Sequence, residues 1–314
     1  LCISTSTFYN ASLTGIQDQQ SQIARLTQRI TEQKSFITAK EAPINASRAM
    51  DLSNSIAQRT QYMANQDRAE LSLKFENLQL EQLRTTLNST RTTLMGAGAD
   101  QTQSVRDQLA IQVSNFYSLA RDIANARDAQ GNYVFAGHET ASQPYAHTPT
   151  YPGSLPVSAN ATSYAGDSGV RGVAVESGRQ VQTSDSIEDV LRGDGSAAQD
   201  LLGAIDYAAT ALQDPAASAS AVDAAVQGAI SAINGALDSL QNVQTRVAGR
   251  MLEVNDLRAS TRQLLATEKD ALGSLTELDT AAAIIELQLQ QTNLEASQRT
   301  FALVSNLSLF SYIS

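Results

Sequence analysis

Apolar residues recur every seven positions through long stretches of the chain, a spacing typical of amphipathic helices that pack along one side. Three such series can be read from the sequence, and glycine or proline residues separate them. Their positions are Tyr9, Ile16, Ile23, Ile30 and Ile37; Leu73, Leu80, Leu87 and Leu94; and Ile233, Leu240, Val247 and Val254. The series predict long helices in both halves of the chain.

Glycine and proline set the predicted helix boundaries. One helix follows Pro43 and ends at the Gly-Ala-Gly breaker of residues 96–98. The next is predicted over 103–130, with Gly131 as its C-terminal cap. A shorter helix over about 198–213 precedes the last apolar series.

The C-terminal tail carries two apolar series on nearly opposite faces. One contains Leu287, Leu294 and Phe301, and the other contains Ala282, Leu289, Ala296, Leu303 and Phe310. Because each helical residue turns by about 100°, positions two apart differ by about 200°. A helix with two opposed apolar faces needs a partner on each. We expect the N-terminal helix to cover one face and another subunit to cover the other. The predicted assembly residues are Ile16, Ile23, Ile30, Leu287, Leu289, Leu294, Phe301, Leu303 and Phe310.

Residues 131–196 differ from both flanks because they are rich in glycine and proline. Residues 131–137 read Gly-Asn-Tyr-Val-Phe-Ala-Gly, which places β-forming residues between glycines. Residues 170–175 and 179–183 form two runs of strand-forming sequence separated by Ser177-Gly178. This pattern predicts a β-hairpin. We expect a small β-rich insert whose boundaries few core contacts cross.

The predicted fold is mainly α, a long antiparallel helical rod with coiled-coil terminal helices and a small β-rich insert. The predicted parts are an N-terminal assembly helix (1–42), the N-terminal part of the rod (43–130), the outer insert (131–196), the C-terminal part of the rod (197–272) and a C-terminal assembly helix (273–314).

Composition and net charge disfavour several classes of partner and location. Of 314 residues, 42% are hydrophobic but only 5% are aromatic, and the net charge is -10. Such a charge disfavours nucleic acid and anionic membranes as partners. The longest apolar run covers 281–285, far short of the ~20 residues of a membrane span. We also see no basic region followed by an apolar stretch, and so expect no cleaved secretory signal.

No catalytic constellation stands out, so we expect no enzyme, no cofactor and no metal. Cys2 is the single cysteine, and the two histidines, His138 and His147, lack the further ligands of a metal site. The tripeptide at 192–194 spells Arg-Gly-Asp, and a turn is the simpler interpretation. Asp185 and the acidic residues after it are expected to start a short helix or to be solvated.

Several segments together resemble the bacterial flagellin superfamily, and within it the hook-associated junction proteins. The matching segments are Ile3-Ser4-Thr5-Ser6 with Phe8-Tyr9; Ile30-Thr31-Glu32-Gln33-Lys34 with Glu41-Ala42-Pro43-Ile44; 131–137; Thr245 to Arg250; and, in the tail, 288–291, 293–298 and 308–313. Gln33 stands where the family pattern has glycine. The resemblance covers both helical arms, and the insert matches only at its edges.

The resemblance implies that the paired terminal helices form a coiled coil lining the inner tube of the flagellar axial structure. It implies export through the flagellar type III apparatus to an extracellular location. The implied partners are other copies of the chain, neighbouring hook-associated and flagellin subunits, and an export chaperone.

Two other functions remain open from sequence. The chain could be a flagellin, which copy number would distinguish, since a filament contains thousands of subunits and a junction few. It could also be a secreted coiled-coil adhesin. Gene deletion separates that alternative, because an adhesin mutant loses adhesion and stays motile.

Overall fold

The computed structural model describes residues 2–145, 164–191 and 201–313, which are mostly helical. The elements are α1 (Cys2–Glu32), α2 (Pro43–Met95), α3 (Gln103–Ala124), β1 (Gly172–Glu176), β2 (Arg179–Gln182), α4 (Glu188–Leu191), α5 (Leu201–Gln213), α6 (Ala219–Thr276) and α7 (Thr280–Ile313). The chain divides into two compact units, Arg59–Arg262 and the combined termini Leu1–Gln58 with Gln263–Ser314. The predicted mainly helical class with a small β element is confirmed.

The apolar series of α2 and α6 form the core of the Arg59–Arg262 unit. All members of the two series have no exposed surface: Leu73, Leu80, Leu87, Leu94, Ile233, Leu240, Val247 and Val254. They belong to one cluster with the buried faces of α3 and α5. Each buried Leu, Ile or Val contributes about 1.5–3 kcal/mol relative to exposure. The seven-residue spacing therefore predicted this core correctly.

The predicted hairpin is also confirmed, with slightly shorter strands. β1 and β2 pair antiparallel, with Val173 opposite Val181. Gly178 in the connecting turn has φ +73, a left-handed conformation that suits glycine. The hairpin is fastened to α2, because the buried Gln66 side chain donates a hydrogen bond from Nε2 to the carbonyl of Val175.

The described part of the insert shares its core with the helices, so the expectation that few contacts cross its boundaries is wrong. Its buried apolar residues join the same cluster as those of α2, α3, α5 and α6. They are Val134, Phe135, Tyr145, Val175, Val181, Ile187, Val190 and Leu191. A segment of this size buries too little surface alone, and packing on the helices completes its core.

The third helix ends at Ala124 rather than near residue 130, and Asn125 explains why. Its side chain pairs with the backbone of Tyr145 on both edges, accepting from the N–H at 2.9 Å and donating to the carbonyl at 3.0 Å. Gly131, the predicted cap, instead closes a turn back to Asp128. Residues 131–137, where β-forming residues lie between glycines, form turns around one isolated bridge.

Helix α1 ends at Glu32, so Ile37 lies outside the helix that the seven-residue series predicted. The chain leaves the helix at Gln33, whose φ of 54° is the left-handed conformation. This is the position at which the family pattern has glycine. A residue with a Cβ pays about 1–2 kcal/mol in that conformation.

We expect Gln33→Gly to slow amide hydrogen exchange in the last turns of α1. Relief of the left-handed strain outweighs the added freedom of the unfolded chain, for a net gain of about 0.5–1 kcal/mol. The matched control is Gln20→Gly, at an exposed position inside α1. It should speed exchange, since glycine costs about 1 kcal/mol in a helix interior. Faster exchange in both variants would contradict the assignment of strain to Gln33.

Candidate assembly interface

The two terminal helices pack against each other in the unit formed by the chain ends. On α1, the predicted residues Ile16, Ile23 and Ile30 are half-buried. On α7, Leu287, Leu294 and Phe301 are also half-buried, and they recur on the same helix face. The ring centroids of Tyr9, near the start of α1, and Phe301, towards the end of α7, lie 5.0 Å apart.

The best-covered residues of this pair were not among the predicted ones. Leu26 on α1 is 2% exposed and Ala283 on α7 is 4% exposed. Leu26 lies three positions after Ile23, so it occupies the companion core position that a search at strict seven-residue spacing omits. Ala283 lies four positions before Leu287 and belongs to the same face.

The opposite face of α7 carries exposed apolar side chains. We call it the outer stripe and define it as Ile285, Leu289, Ala296 and Leu303. Leu289 is 60% exposed and Leu303 is 66% exposed. Ile285, at 67%, lies four residues before Leu289 and was not predicted, although its spacing places it on this face. The side chain of Phe310 lies outside the described residues.

The outer stripe has an energetic consequence. Covering its large side chains would contribute about 1–2 kcal/mol each, since more than half of each is still exposed. The face that packs against α1 contributes less free energy per residue, because most of its side chains are only half-buried. Exposed apolar side chains on one helix face are the pattern expected of a surface that contacts another protein.

The Arg59–Arg262 unit also contains a cluster of charged side chains that was not predicted from the sequence. Asp185, expected to be solvated or to start a helix, is 4% exposed. Arg250 of α6 donates to its two carboxylate oxygens at 2.5 and 3.2 Å. The Asp185 N–H donates at 2.7 Å to Oε1 of Glu76, which is fully buried on α2. These bonds fasten the segment after the hairpin to both long helices.

Glu76 should make the stability of the protein depend on pH. Burial, and then the charge of Asp185, raises the pKa of Glu76 to about 8, whereas Arg250 and Arg171 act in the opposite direction. Because the folded-state pKa lies above the unfolded value near 4.5, the stabilisation is complete below that value and is lost as pH rises through about 8.

We expect Glu76→Gln to remove most of this dependence. The amide keeps an oxygen for the Asp185 N–H and cannot ionise. From pH 5 to pH 9 the wild-type free energy of unfolding should fall by a few kcal/mol more than that of the variant, since one pKa unit corresponds to about 1.4 kcal/mol. Urea unfolding at both pH values measures this. If the free energy of unfolding fell equally in the two proteins, Glu76 would be ionised in the folded state.

Among the described residues, no group of three or more His, Cys, Asp and Glu side chains is placed to hold a metal ion. Nor do the described helices include one with enough length and apolar character to cross a bilayer. The His138 N–H donates at 2.7 Å to Asp167, and this bond lowers the pKa of the Asp167 carboxyl. His147 and the tripeptide at 192–194 lie outside the described residues.

Comparison with known proteins gives matches that run from end to end. No family model matches the sequence. The chain is 27% identical over 315 aligned positions to flagellar hook-associated protein 3 of Escherichia coli, and equally to that of Salmonella typhimurium. Each alignment covers 98% of this chain and 98% of the relative.

Solved structures share the fold at lower identity. A Vibrio parahaemolyticus chain assigned as a flagellar hook-associated protein superposes with a TM-score of 0.66 at 18% identity, covering 76% of this chain and 100% of its own. The flagellar junction protein of Legionella pneumophila gives 0.56 at 14% identity, with 73% and 99% covered. These findings confirm the resemblance predicted from the sequence.

Proposed function

We infer that the chain belongs to the flagellar hook-associated protein 3 family and is a structural subunit at the junction between hook and filament. The observation that carries this inference is the alignment over 98% of both chains, which includes both terminal helices. The outer stripe of α7 supports the same inference, because a subunit that assembles needs an apolar surface for its neighbours to cover.

The junction role is favoured over that of a filament subunit. Both curated relatives carry the name hook-associated protein 3, and one solved relative carries the name flagellar junction protein. The segment 131–137, one of the segments that resemble the hook-associated junction proteins, is buried from Tyr133 to Gly137 and contributes to the core.

In this proposal, 1–42 and 273–314 are the assembly segments, and subunits associate by covering the outer stripe. The partners are other copies of the chain and neighbouring hook-associated and flagellin subunits, with an export chaperone before assembly. The protein reaches the extracellular flagellum through the flagellar type III apparatus. Assembly needs surface complementarity alone, so neither catalysis nor a cofactor takes part.

A deletion strain examined by electron microscopy tests the proposal. We expect hooks without filaments, and flagellin released into the medium, because no subunit joins the two structures. Complementation with the intact gene should restore filaments. Normal filaments in the deletion strain would refute the junction role, and normal filaments with lost surface adhesion would establish the adhesin alternative.

A further inference from the structure

Four consecutive polar residues, 183–186, are buried together directly after the hairpin. They read Thr-Ser-Asp-Ser, and none of them is more than 7% exposed. Buried polar groups need hydrogen-bond partners, and these find them on several parts of the Arg59–Arg262 unit. We call residues 183–191, which comprise the polar run, Ile187 and α4, the strap.

Part of the polar run is bonded to the chain that precedes β1. The Thr183 N–H donates at 2.7 Å to the carbonyl of Arg171. The Arg171 N–H in turn donates at 3.2 Å to the hydroxyl oxygen of Ser184. The hydroxyl oxygens of Ser186 and Tyr164 lie 3.0 Å apart. Peptide groups and hydroxyls keep the same charge between pH 6 and pH 8, so these bonds hold the strap equally across that range.

The bond from the strap to α2 involves a titratable pair. The Asp185 N–H donates at 2.7 Å to Oε1 of Glu76, and Glu76 is fully buried. The other oxygen, Oε2, is also buried and has no hydrogen-bond partner among the described residues. A charge on Glu76 would therefore lack solvation and would face the carboxylate of Asp185. Protonation of Glu76 removes both costs.

The cations around this pair are placed mainly for Asp185. Arg250 of α6 donates to both carboxylate oxygens of Asp185, and Arg246 lies 3.6 Å from one of them. Arg250 and Arg171 also attract a charge on Glu76. Burial and the charge of Asp185 outweigh that attraction, so the pKa of Glu76 is raised to about 8.

Apolar packing holds the strap as well, but it carries no dependence on pH. Ile187, Val190 and Leu191 have no exposed surface, and their burial involves no proton. Glu76 therefore supplies the contact between the strap and α2 that changes with pH.

The two long helices are also attached to each other without the strap. Their apolar series belong to one buried cluster. Arg258 of α6 forms an ion pair with Glu70 of α2, and Gln244 of α6 donates at 3.2 Å to Glu81 of α2. These contacts stay in place when the strap leaves, which is the condition for a local opening rather than complete unfolding.

We infer that the strap is a proton-dependent latch, which is closed on α2 and α6 while Glu76 is protonated and opens on ionisation of Glu76 while the two helices stay packed. The inference concerns a single subunit and does not rest on the proposed function. In the open form Glu76 ionises near its ordinary pKa of 4.5, whereas in the closed form it keeps its proton up to about pH 8. Opening therefore becomes more favourable as pH rises between these two values.

Hydrogen exchange in the full-length protein separates local opening from complete unfolding. The reporters are the amides of Thr183, Asp185 and Leu191 in the strap, and the references are the amides of Leu87 and Val247 in the long helices. In low concentrations of urea, the references should lose protection with the slope of global unfolding, because that slope scales with the surface exposed. The reporters should show a much smaller slope. Equal slopes would overturn the latch, since the strap would then open only when the whole unit unfolds.

Glu76→Gln tests the dependence on the proton, because the amide cannot ionise. At each pH, the protection of the reporters in the wild-type protein is divided by that in the variant, which cancels the intrinsic pH dependence of exchange. We expect this quotient to fall by about 50-fold from pH 6 to pH 8, since each pH unit between the two pKa values gives nearly tenfold. A constant quotient would overturn the inference.

Glu81→Gln is the matched control, since it makes the same change on α2 at a half-exposed carboxyl that is paired with Arg84. The quotient of wild type to this variant should not change with pH. If Glu76→Gln does not fold, the wild-type protein decides the question by itself, with its exchange corrected for intrinsic rates: reporters without the pH-dependent loss would overturn the latch. The junction role is tested separately, in the deletion strain.

Discussion

Leu289→Asp and Leu303→Asp should each abolish filament retention while leaving the monomer folded. Both side chains lie on the outer stripe, at 60% and 66% exposure, so a carboxylate there stays hydrated in the free subunit. In the assembly the same carboxylate is buried without a partner, which costs several kcal/mol. We expect association to weaken by about 100-fold or more, since 1.4 kcal/mol corresponds to tenfold.

The measurement combines motility, flagellin retention and thermal unfolding of the purified protein, with secretion assayed separately. Gln288→Asp is the matched control, an exposed polar position on α7 outside the stripe. Leu294→Asp, on the face that packs against α1, should impair assembly and also reduce helix content in the monomer. Normal filaments in either outer-stripe variant would show that the second face needs no partner.

Arg250→Met should destabilise the Arg59–Arg262 unit by about 3–5 kcal/mol, the typical cost of leaving a buried charge without its partner. Asp185 is 4% exposed, and the other cation paired with it, Arg246, is 3.6 Å away and half exposed. The segment after the hairpin would then lose its bidentate ion pair with α6. Urea unfolding followed by circular dichroism gives the free energy of unfolding.

Arg246→Met is the control for that experiment, because it removes the more exposed cation beside the same carboxylate. It should cost less than about 1 kcal/mol. Adding Asp185→Asn to Arg250→Met should recover part of the loss, since the orphaned charge disappears. Equal losses for the two arginine variants would show that burial of the Arg250 pair is not what stabilises the insert.

The sequence predicted those parts of the fold that depend on local periodicity. Leu80 and Leu240 are buried because seven-residue spacing keeps one side of a helix facing its partner. The end of α3 could not be predicted in this way. It depends on Asn125 meeting Tyr145, and nothing near Asn125 in the sequence shows that the chain returns there.

The same limit applies to the polar core of the larger unit. Glu76, Asp185 and Arg250 lie far apart in sequence and meet only through tertiary packing. In sequence, Asp185 resembles any acidic residue before a short helix. Its burial is visible only once the hairpin is placed against α2 and α6.

The half-buried and exposed faces of α7 could be predicted, because they depend on helical phase alone; their role in assembly stays a prediction. The 200° separation of Leu287 from Leu289 places one half-buried and the other exposed. Ile285 was missed because it extends the outer stripe by four residues rather than seven. The hydrogen bonds between residues 33–35 and 275–278 could not be predicted from sequence, since they join segments about 240 residues apart.

Immunogold labelling of isolated flagella tests the central claim most directly. An epitope tag at the insert of the complementing protein marks each subunit without altering the terminal helices. The junction account predicts gold in one narrow band where the hook meets the filament, and none along the filament. Labelling along the whole filament would identify a filament subunit, and label confined to the cell surface would place the chain outside the flagellum; either result would contradict the account.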